Sequence, residues 1–293
     1  SPWADDSLQV QTQLALADAQ YDRVIALAEQ FAAKFPGSPL RPHVEQSLAR
    51  AYLKLKQYGP AAELLQRLVE SAAAAAPAAA AGDGDVAVPA ATPEAAQTRQ
   101  ANQYYLALAH LGEGQHEIAL DVLAKLDVTP ENKDLYGGVQ LARAMALAGL
   151  NRRAEAIEPL QKYLATGPAG EEALACRLQL IDALIPDNRL DEALQVHSQI
   201  TGQDAQQPFY LEATHRLAEA ALVAGKHDEA MGLFAVLTQD GQPPAAAAQG
   251  WAGLGSANFR AGKLEPAAVA FGQLVERYPG SPLAAEAAVM RAK

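Results

Sequence analysis

A fixed period of 37 residues constrains the fold of this chain more than any other feature of its sequence. Small apolar residues recur at that interval, with two earlier equivalents beyond a longer step: Ala267, Ala230, Ala193, Ala156 and Ala119, then Ala61 and Val24. The step between Ala61 and Ala119 is 58 residues, which exceeds the period by 21. Periods of about 20 to 50 residues are typical of repeat arrays. The sequence therefore predicts seven copies of one unit, interrupted by a single insertion of about 21 residues.

Each unit has the apolar periodicity of two helices. Trp251, Leu254 and Gly255 lie at i, i+3 and i+4 and therefore share one helical face. After a break at Gly262, a second apolar stripe comprises Ala267, Phe271 and Leu274. Half of the residues are apolar but only 6% are aromatic, a composition that favours closely packed Ala- and Leu-rich helices over a sheet core.

These residues resemble the signature of the tetratricopeptide repeat, which has W-x2-L-G in the first helix and a small residue, an aromatic residue and a closing proline later. The matching places are Trp251, Leu254, Gly255, Ala267, Phe271 and Pro279. Asn258 stands where the repeat has tyrosine, and Leu274 stands where it has a second small residue. The resemblance implies an all-α fold, a right-handed superhelical solenoid of about seven helix-turn-helix repeats followed by one extra C-terminal helix.

The period also sets the predicted boundaries. Repeats 1 and 2 occupy residues 1–71, an Ala-, Pro- and Gly-rich insertion occupies 72–92, repeats 3–7 occupy 93–280, and the first helix of a truncated or capping repeat occupies 281–293. The second helix of repeat 2 is predicted to continue to about Ala76 and to stop at Pro77. The insertion is either a hinge or a looped-out excursion, and we favour the loop because Ala95 resumes the pattern in phase. Both ends lie at repeat boundaries, which favours a piece of a longer chain.

Two junctions between repeats are near copies, F-P-G-S-P-L at 35–40 and Y-P-G-S-P-L at 278–283. Ser38 and Ser281 are predicted to cap the following helix, with Pro39 and Pro282 at its first position. These junctions, together with the long repeat, resemble the bacterial cell-envelope branch of the family, which includes the β-barrel-assembly lipoprotein and the periplasmic cell-division coordinator. This resemblance implies a periplasmic or cell-envelope location in preference to the cytoplasm.

Charge and motifs exclude several classes of function. The net charge is −11, and no Lys- or Arg-rich run is present, so we expect no nucleic-acid partner. The charge favours a basic or neutral partner. The alternative is that the acidic surface simply keeps the protein soluble. No run of 18 apolar residues exists, so no membrane insertion is predicted.

The six histidines lack metal-ligand spacing, and nucleotide-binding and nucleophile motifs are absent. Cys176 lies in an apolar helical run, as expected for a buried, inert thiol. We therefore predict no catalytic residue, no metal site, no cofactor and no enzymatic activity.

The remaining function is binding of another protein or a peptide. The resemblance implies that the first helix of each repeat lines a concave face, and its exposed positions are the candidate contacts: Gln46, Arg50, Tyr104, Leu108, Leu141, Met145, Leu178, Asp182, His215 and Glu219. The apolar middle of this set suits an amphipathic helix or an extended segment. Two alternatives stay open: these apolar residues pack against the next helix, or the chain is a structural spacer of a longer multidomain protein.

Overall fold

The computed structural model describes residues 3–78, 93–201 and 207–292. Within those ranges the secondary structure consists of fifteen helices and contains no strand. The predicted all-helical repeat fold is therefore confirmed. The helices are α1 (Ala4–Ala17), α2 (Tyr21–Lys34), α3 (Arg41–Lys54), α4 (Tyr58–Ala78), α5 (Pro93–Gly112), α6 (His116–Ala124), α7 (Lys133–Gly149), α8 (Arg153–Ala165), α9 (Gly170–Leu184), α10 (Leu190–Ser198), α11 (Pro208–Val223), α12 (His227–Leu237), α13 (Pro244–Arg260), α14 (Leu264–Arg277) and α15 (Pro282–Arg291).

The even-numbered helices reproduce the period of the sequence. They begin at Tyr21, Tyr58, His116, Arg153, Leu190, His227 and Leu264, which are 37 residues apart except for the predicted step of 58. Odd-numbered helices are called helices A and even-numbered ones helices B. The chain thus has seven A–B pairs, and α15 follows them as an eighth helix A.

A residue in the left-handed backbone region stands in every turn from helix A to helix B. Its φ lies between 55° at Ala19 and 77° at Gly225. The seven positions are Ala19, Lys56, Gly114, Asn151, Asn188, Gly225 and Gly262. Glycine and asparagine tolerate this conformation well, and they hold five of these positions. A repeated turn geometry therefore explains why the register of the pairs stays constant.

The chain divides into two compact units, Ser1–Thr166 and Gly167–Lys293. In each unit every helix packs against the next one, and every helix A also packs against the following helix A. Helices A therefore form the inner row of each unit. The division falls within residues 93–280, which the repeat period predicts as one block of five repeats. Gly167 and Gly170, both with φ of 80°, flank Pro168 and Ala169 at the boundary.

The predicted insertion begins later than the sequence suggested. Helix α4 continues through Pro77 to Ala78, so residues 72–78 are helical and Pro77 does not stop the helix. The run of alanines at 72–76 favours helix, and the hydrogen bond that proline forgoes lies in the final described turn. The rest of the insertion, 79–92, lies outside the described residues. Helix α5 packs on both α3 and α4, so repeat 3 stacks directly on repeat 2.

The two similar junctions begin their helices differently. The Ser281 side chain accepts a hydrogen bond from the Leu283 N–H at 3.3 Å and caps α15, with Pro282 at its start, as predicted. The prediction was wrong for Ser38 and Pro39, because α3 begins only at Arg41. Pro42 accounts for the difference, because it has no N–H to donate to the Ser38 carbonyl and so the first helical hydrogen bond forms later.

Candidate protein-binding surfaces

Four of the ten predicted contact residues line one cavity in the first unit. Arg50 of α3, Tyr104 and Leu108 of α5, and Met145 of α7 border a space of about 460 Å³ on the row of helices A. Met145 is 48% exposed although it is a large apolar residue. Three successive helices A thus contribute side chains to one concave, largely apolar site. Cavities of about 300–1,000 Å³ commonly bind ligands.

Close approach at two glycines positions the aromatic walls of this cavity. The ring of Tyr58, the first residue of α4, lies directly against Gly112, where any Cβ would overlap with it. The Tyr104 hydroxyl lies against Gly138 of α7, only 2.6 Å from where a Cβ would stand. Larger residues at these glycines would displace the tyrosines. Gly112 and Gly138 therefore leave the space that these two tyrosine side chains occupy beside the cavity.

Two cations border the same cavity. The Arg50 guanidinium carbon lies 5.4 Å from the centre of the Tyr105 ring, an arrangement that favours a cation over an aromatic face. Lys54, the last residue of α3, lines the cavity as well. Within the described part of the chain, neither residue forms an ion pair. The Tyr104 and Tyr105 rings lie 5.6 Å apart at an interplanar angle of 45°.

A second, more polar space lies on the other side of these tyrosines. It measures about 890 Å³ between α5 and the α6–α7 loop, and its lining includes Asp127 and Glu131. The side-chain amide of Gln100 donates a hydrogen bond of 2.6 Å to the Asp127 carbonyl. A hydrogen bond from Thr129 lowers the pKa of the Glu131 carboxyl below its ordinary value. This side of α5 therefore offers carboxylate and amide groups.

The second unit has a separate cavity of about 530 Å³ between α9 and α11, and Leu178 and Asp182 both line it. Phe209 also lines it and is 72% exposed. The Arg216 guanidinium lies 2.8 Å from the Asp182 carboxylate. This cavity combines an apolar lining with carboxylates, whereas the first unit combines an apolar lining with cations.

The four remaining predicted residues line neither of these two apolar cavities. The Gln46 amide donates to the Asn102 side chain at 2.7 Å and links α3 to α5. Leu141 is half-buried on α7. The Nε2 atom of His215 lies 3.7 Å from a carboxylate oxygen of Glu219 on α11. Gln46 thus has a hydrogen-bond partner within the fold, and His215 and Glu219 are neighbours on one helix.

Sequence reasoning missed several lining residues, including Lys54, Tyr58 and Leu111 in the first unit and Phe209 in the second. The prediction took two positions from each helix A, four residues apart. Continuing the stripe from Arg50 by four residues reaches Lys54, and from Tyr104 by seven reaches Leu111. The helical spacing in the sequence was therefore sufficient to predict Lys54 and Leu111. Tyr58 belongs to a helix B and gives no comparable signal.

The described residues contain no group of three or more His, Cys, Asp or Glu side chains placed to hold a metal ion. Cys176 is buried, and burial raises the pKa of its thiol to about 11. Such a thiol is protonated at neutral pH and is a poor nucleophile. In the part of the chain that the structure covers, no helix combines the length and the apolar character that crossing a bilayer requires.

The paired helices, the constant turn and the row of helices A define an all-helical repeat protein. Two of the pairs also match a known repeat family by sequence. The model of the tetratricopeptide repeat family matches residues 47–73, from α3 into α4, and residues 253–281, from α13 through α14. A search of curated proteins by sequence finds no match.

Several solved structures are similar to this chain. A tetratricopeptide repeat protein from Parabacteroides merdae is 13% identical, with 99% of each chain covered and a TM-score of 0.49. The nearly identical TPR-like repeats of a putative kinesin light chain from Podosopora anserina are 23% identical, covering 71% of this chain and 100% of that one at a TM-score of 0.46. The apo quorum sensor NprR from B. thuringiensis is 12% identical, covering 99% and 81%, with a TM-score of 0.46. The match to the tetratricopeptide repeat therefore rests on the two matched segments, residues 47–73 and 253–281.

Proposed function

We propose that this protein is a non-catalytic scaffold that binds a segment of another protein on its helices A. The observation that carries the proposal is the cavity bordered by Arg50, Tyr104, Leu108 and Met145. Apolar side chains that stay partly exposed in a concave site are typical of a binding surface. The half-exposed thioether of Met145 fits this role, because methionine adapts its shape to partners.

The apolar cavity of the second unit gives independent support. Phe209 is a large aromatic side chain held mostly in solvent at the edge of a space that Leu174 and Leu178 also line. Aromatic residues dominate the energetics of many protein interfaces. Each unit therefore offers its own candidate binding surface. The competing hypothesis is a structural spacer that uses neither surface.

A pull-down with charge-introducing variants separates the two hypotheses. Met145→Glu and Leu178→Glu are each expected to lose partners that the unaltered protein retains, because each places a carboxylate, which must be desolvated on binding, where an apolar side chain made the contact. Val269→Glu is the control, since Val269 is 60% exposed on α14, a helix B outside both cavities. Circular dichroism establishes that the variants keep their helix content. If both cavity variants keep every partner, the scaffold hypothesis fails and the spacer hypothesis stands.

We also propose that the protein is bacterial and works in the periplasm or cell envelope. The near-identical junctions at 35–40 and 278–283 support this location, since they resemble those of the cell-envelope branch. Fractionation of cells that express the epitope-tagged full-length gene product is expected to place it in the periplasmic or membrane-associated fraction. Recovery with a cytoplasmic marker enzyme would refute the proposal.

A further inference from the structure

The cavity of the first unit differs in charge from the rest of the chain. The whole sequence has 34 acidic and 23 basic residues, yet the lining of this cavity includes Arg50 and Lys54 and no Asp or Glu. Both cations lie on the exposed side of α3. Net charge alone favours a basic or neutral partner, so this cavity is a local exception. At distances within a Debye length of about 8–10 Å, local charges dominate recognition.

Neither Arg50 nor Lys54 caps a helix or forms an ion pair in the described part of the chain. The last carbonyls of α3 accept hydrogen bonds from the backbone N–H groups of Leu55, Lys56 and Gln57. The side chains of Arg50 and Lys54 are therefore not needed to cap this helix. No described carboxylate lies within ion-pair distance of either cation. Both remain available to an external anion.

Arg50 is also held in a suitable orientation. Its guanidinium lies over the Tyr105 ring at 5.4 Å, which restricts the side chain before a partner arrives. A guanidinium held over a ring still has N–H groups to donate, and these match the geometry of a carboxylate. Such preorganisation reduces the entropy lost on binding.

An apolar surface adjoins the cations. Leu53, Leu108 and Leu111 line the same cavity, and the Tyr58 ring forms its wall against Gly112. A ligand with carboxylates alone would leave this surface in contact with water. A ligand that also carries a Leu, Ile or Phe side chain would cover it and gain the free energy of apolar burial.

We propose that this cavity binds an acidic segment of another protein, in which an aliphatic or aromatic side chain inserts among Tyr58, Leu108 and Leu111 while neighbouring carboxylates pair with Arg50 and Lys54. The inference rests on the scaffold function proposed above and adds the chemical class of the partner. The cavity of the second unit provides a contrast, because Glu171, Asp182 and Glu212 line it with only one arginine. Arg216 of that cavity is already paired with Asp182.

The test is a selection from a library of random 15-residue peptides displayed on phage, with the intact chain as bait. Peptides that the Arg50→Ala/Lys54→Ala double variant also captures are removed. The remaining peptides are expected to be rich in Asp and Glu around one or two Leu, Ile or Phe residues. A basic or neutral consensus overturns the inference and leaves the scaffold function standing. Failure to enrich any peptide on the unaltered chain overturns both.

Affinities measured by fluorescence anisotropy with the selected peptide complete the test. The Arg50→Ala/Lys54→Ala variant is expected to bind about tenfold more weakly or worse, and raising the salt concentration should weaken binding to the unaltered protein. The matched control is Lys34→Ala/Arg67→Ala, which removes two exposed cations from the helices B of the same unit. An equal loss of affinity in the control would show that the overall charge of the protein, and not the two cations of this cavity, determines the affinity. That result would overturn the inference.

Discussion

Replacing Gly255 with leucine is expected to destabilise the second unit by about 1–3 kcal/mol through overpacking. Gly255 of α13 is buried, and the Phe271 ring of α14 occupies the space where its Cβ would stand. Phe271 is itself 4% exposed and belongs to the apolar core around Leu274 and Ala287. The ring therefore cannot turn into solvent, so a larger residue must separate α13 from α14.

Tryptophan fluorescence measures this effect where it occurs. The chain has two tryptophans. Trp3 is 73% exposed, whereas Trp251 packs beside the core of the second unit, so the unfolding signal reports mainly on that unit. Urea denaturation followed at this signal should show a lower midpoint for Gly255→Leu. An unchanged midpoint would mean that α13 and α14 do not pack in the register described.

A glycine on the neighbouring helix provides a control substitution whose expected effect on stability is opposite. Gly232 of α12 is exposed, and a Cβ placed there meets no atom within 4 Å. Gly232→Ala should therefore stabilise the protein by about 0.5–1 kcal/mol, because alanine loses less backbone entropy in a helix. Destabilisation by both substitutions would indicate a general sensitivity of glycines in these helices and would contradict the packing argument.

Contacts within a repeat were predictable from the sequence because they follow its period. The small residue at Gly255 was predicted from the repeat pattern, and the structure places it against the helix B of its own repeat. Gly253, two residues earlier, was not predicted. It lies against the Phe234 ring of α12, in the preceding repeat. Contacts of this kind depend on how one pair of helices stacks on another, which a single repeat does not encode.

The candidate binding surfaces were predictable only in part for the same reason. Tyr104 and Leu108 follow from the helical face of α5, but the cavity also needs Tyr58 from α4 and Met145 from α7. Its depth depends on Gly112, which admits the Tyr58 ring. Such a site arises from three repeats together. The late start of α3 is different, since Pro42 was visible in the sequence and its effect was overlooked.

His197 is an exception to the repeat pattern that makes the stability of the second unit depend on pH. The two following repeats have Phe234 and Phe271 at the equivalent position, 37 and 74 residues later. His197 is only 7% exposed, and its ring stacks on Tyr210 with centroids 4.9 Å apart. His197 therefore occupies a core position. Burial lowers the pKa of this imidazole from its ordinary value of 6.5 to about 4.

The hydrogen bonds around His197 fit the neutral ring. The Thr214 hydroxyl donates to the Tyr210 carbonyl at 2.7 Å, so its oxygen is left to accept a hydrogen bond. The Nε2 atom of His197 lies 2.8 Å from that oxygen, which assigns the proton of the neutral imidazole to Nε2. Protonation of Nδ1 would place a positive charge in the core beside Tyr210 and without a carboxylate partner at the ring. The fold therefore opposes ionisation of His197.

The second unit is accordingly expected to lose stability as the pH falls from about 6.5 to 4. Across this window the unfolded chain binds a proton at His197 and the folded chain does not, so the unfolded state is favoured by acid. At 1.36 kcal/mol per pKa unit, the loss reaches about 3 kcal/mol near pH 4. Above pH 7 both states are neutral and His197 contributes no pH dependence. Carboxylates that ionise in the same range also make the free energy of unfolding depend on pH. A comparison of two proteins that differ only at residue 197 cancels this contribution.

His197→Phe is the substitution that isolates this effect, because it places the residue of the next two repeats in the same register. The Thr214 hydroxyl keeps its bond to the Tyr210 carbonyl, so no donor is orphaned. Free energies of unfolding, followed at Trp251, are expected to differ between variant and unaltered protein by an amount that is constant above pH 7. That difference should then grow in favour of the variant by about 3 kcal/mol down to pH 4. Parallel curves across the whole range would show that His197 ionises as easily in the folded protein as in the unfolded chain, and the account of its burial would be wrong.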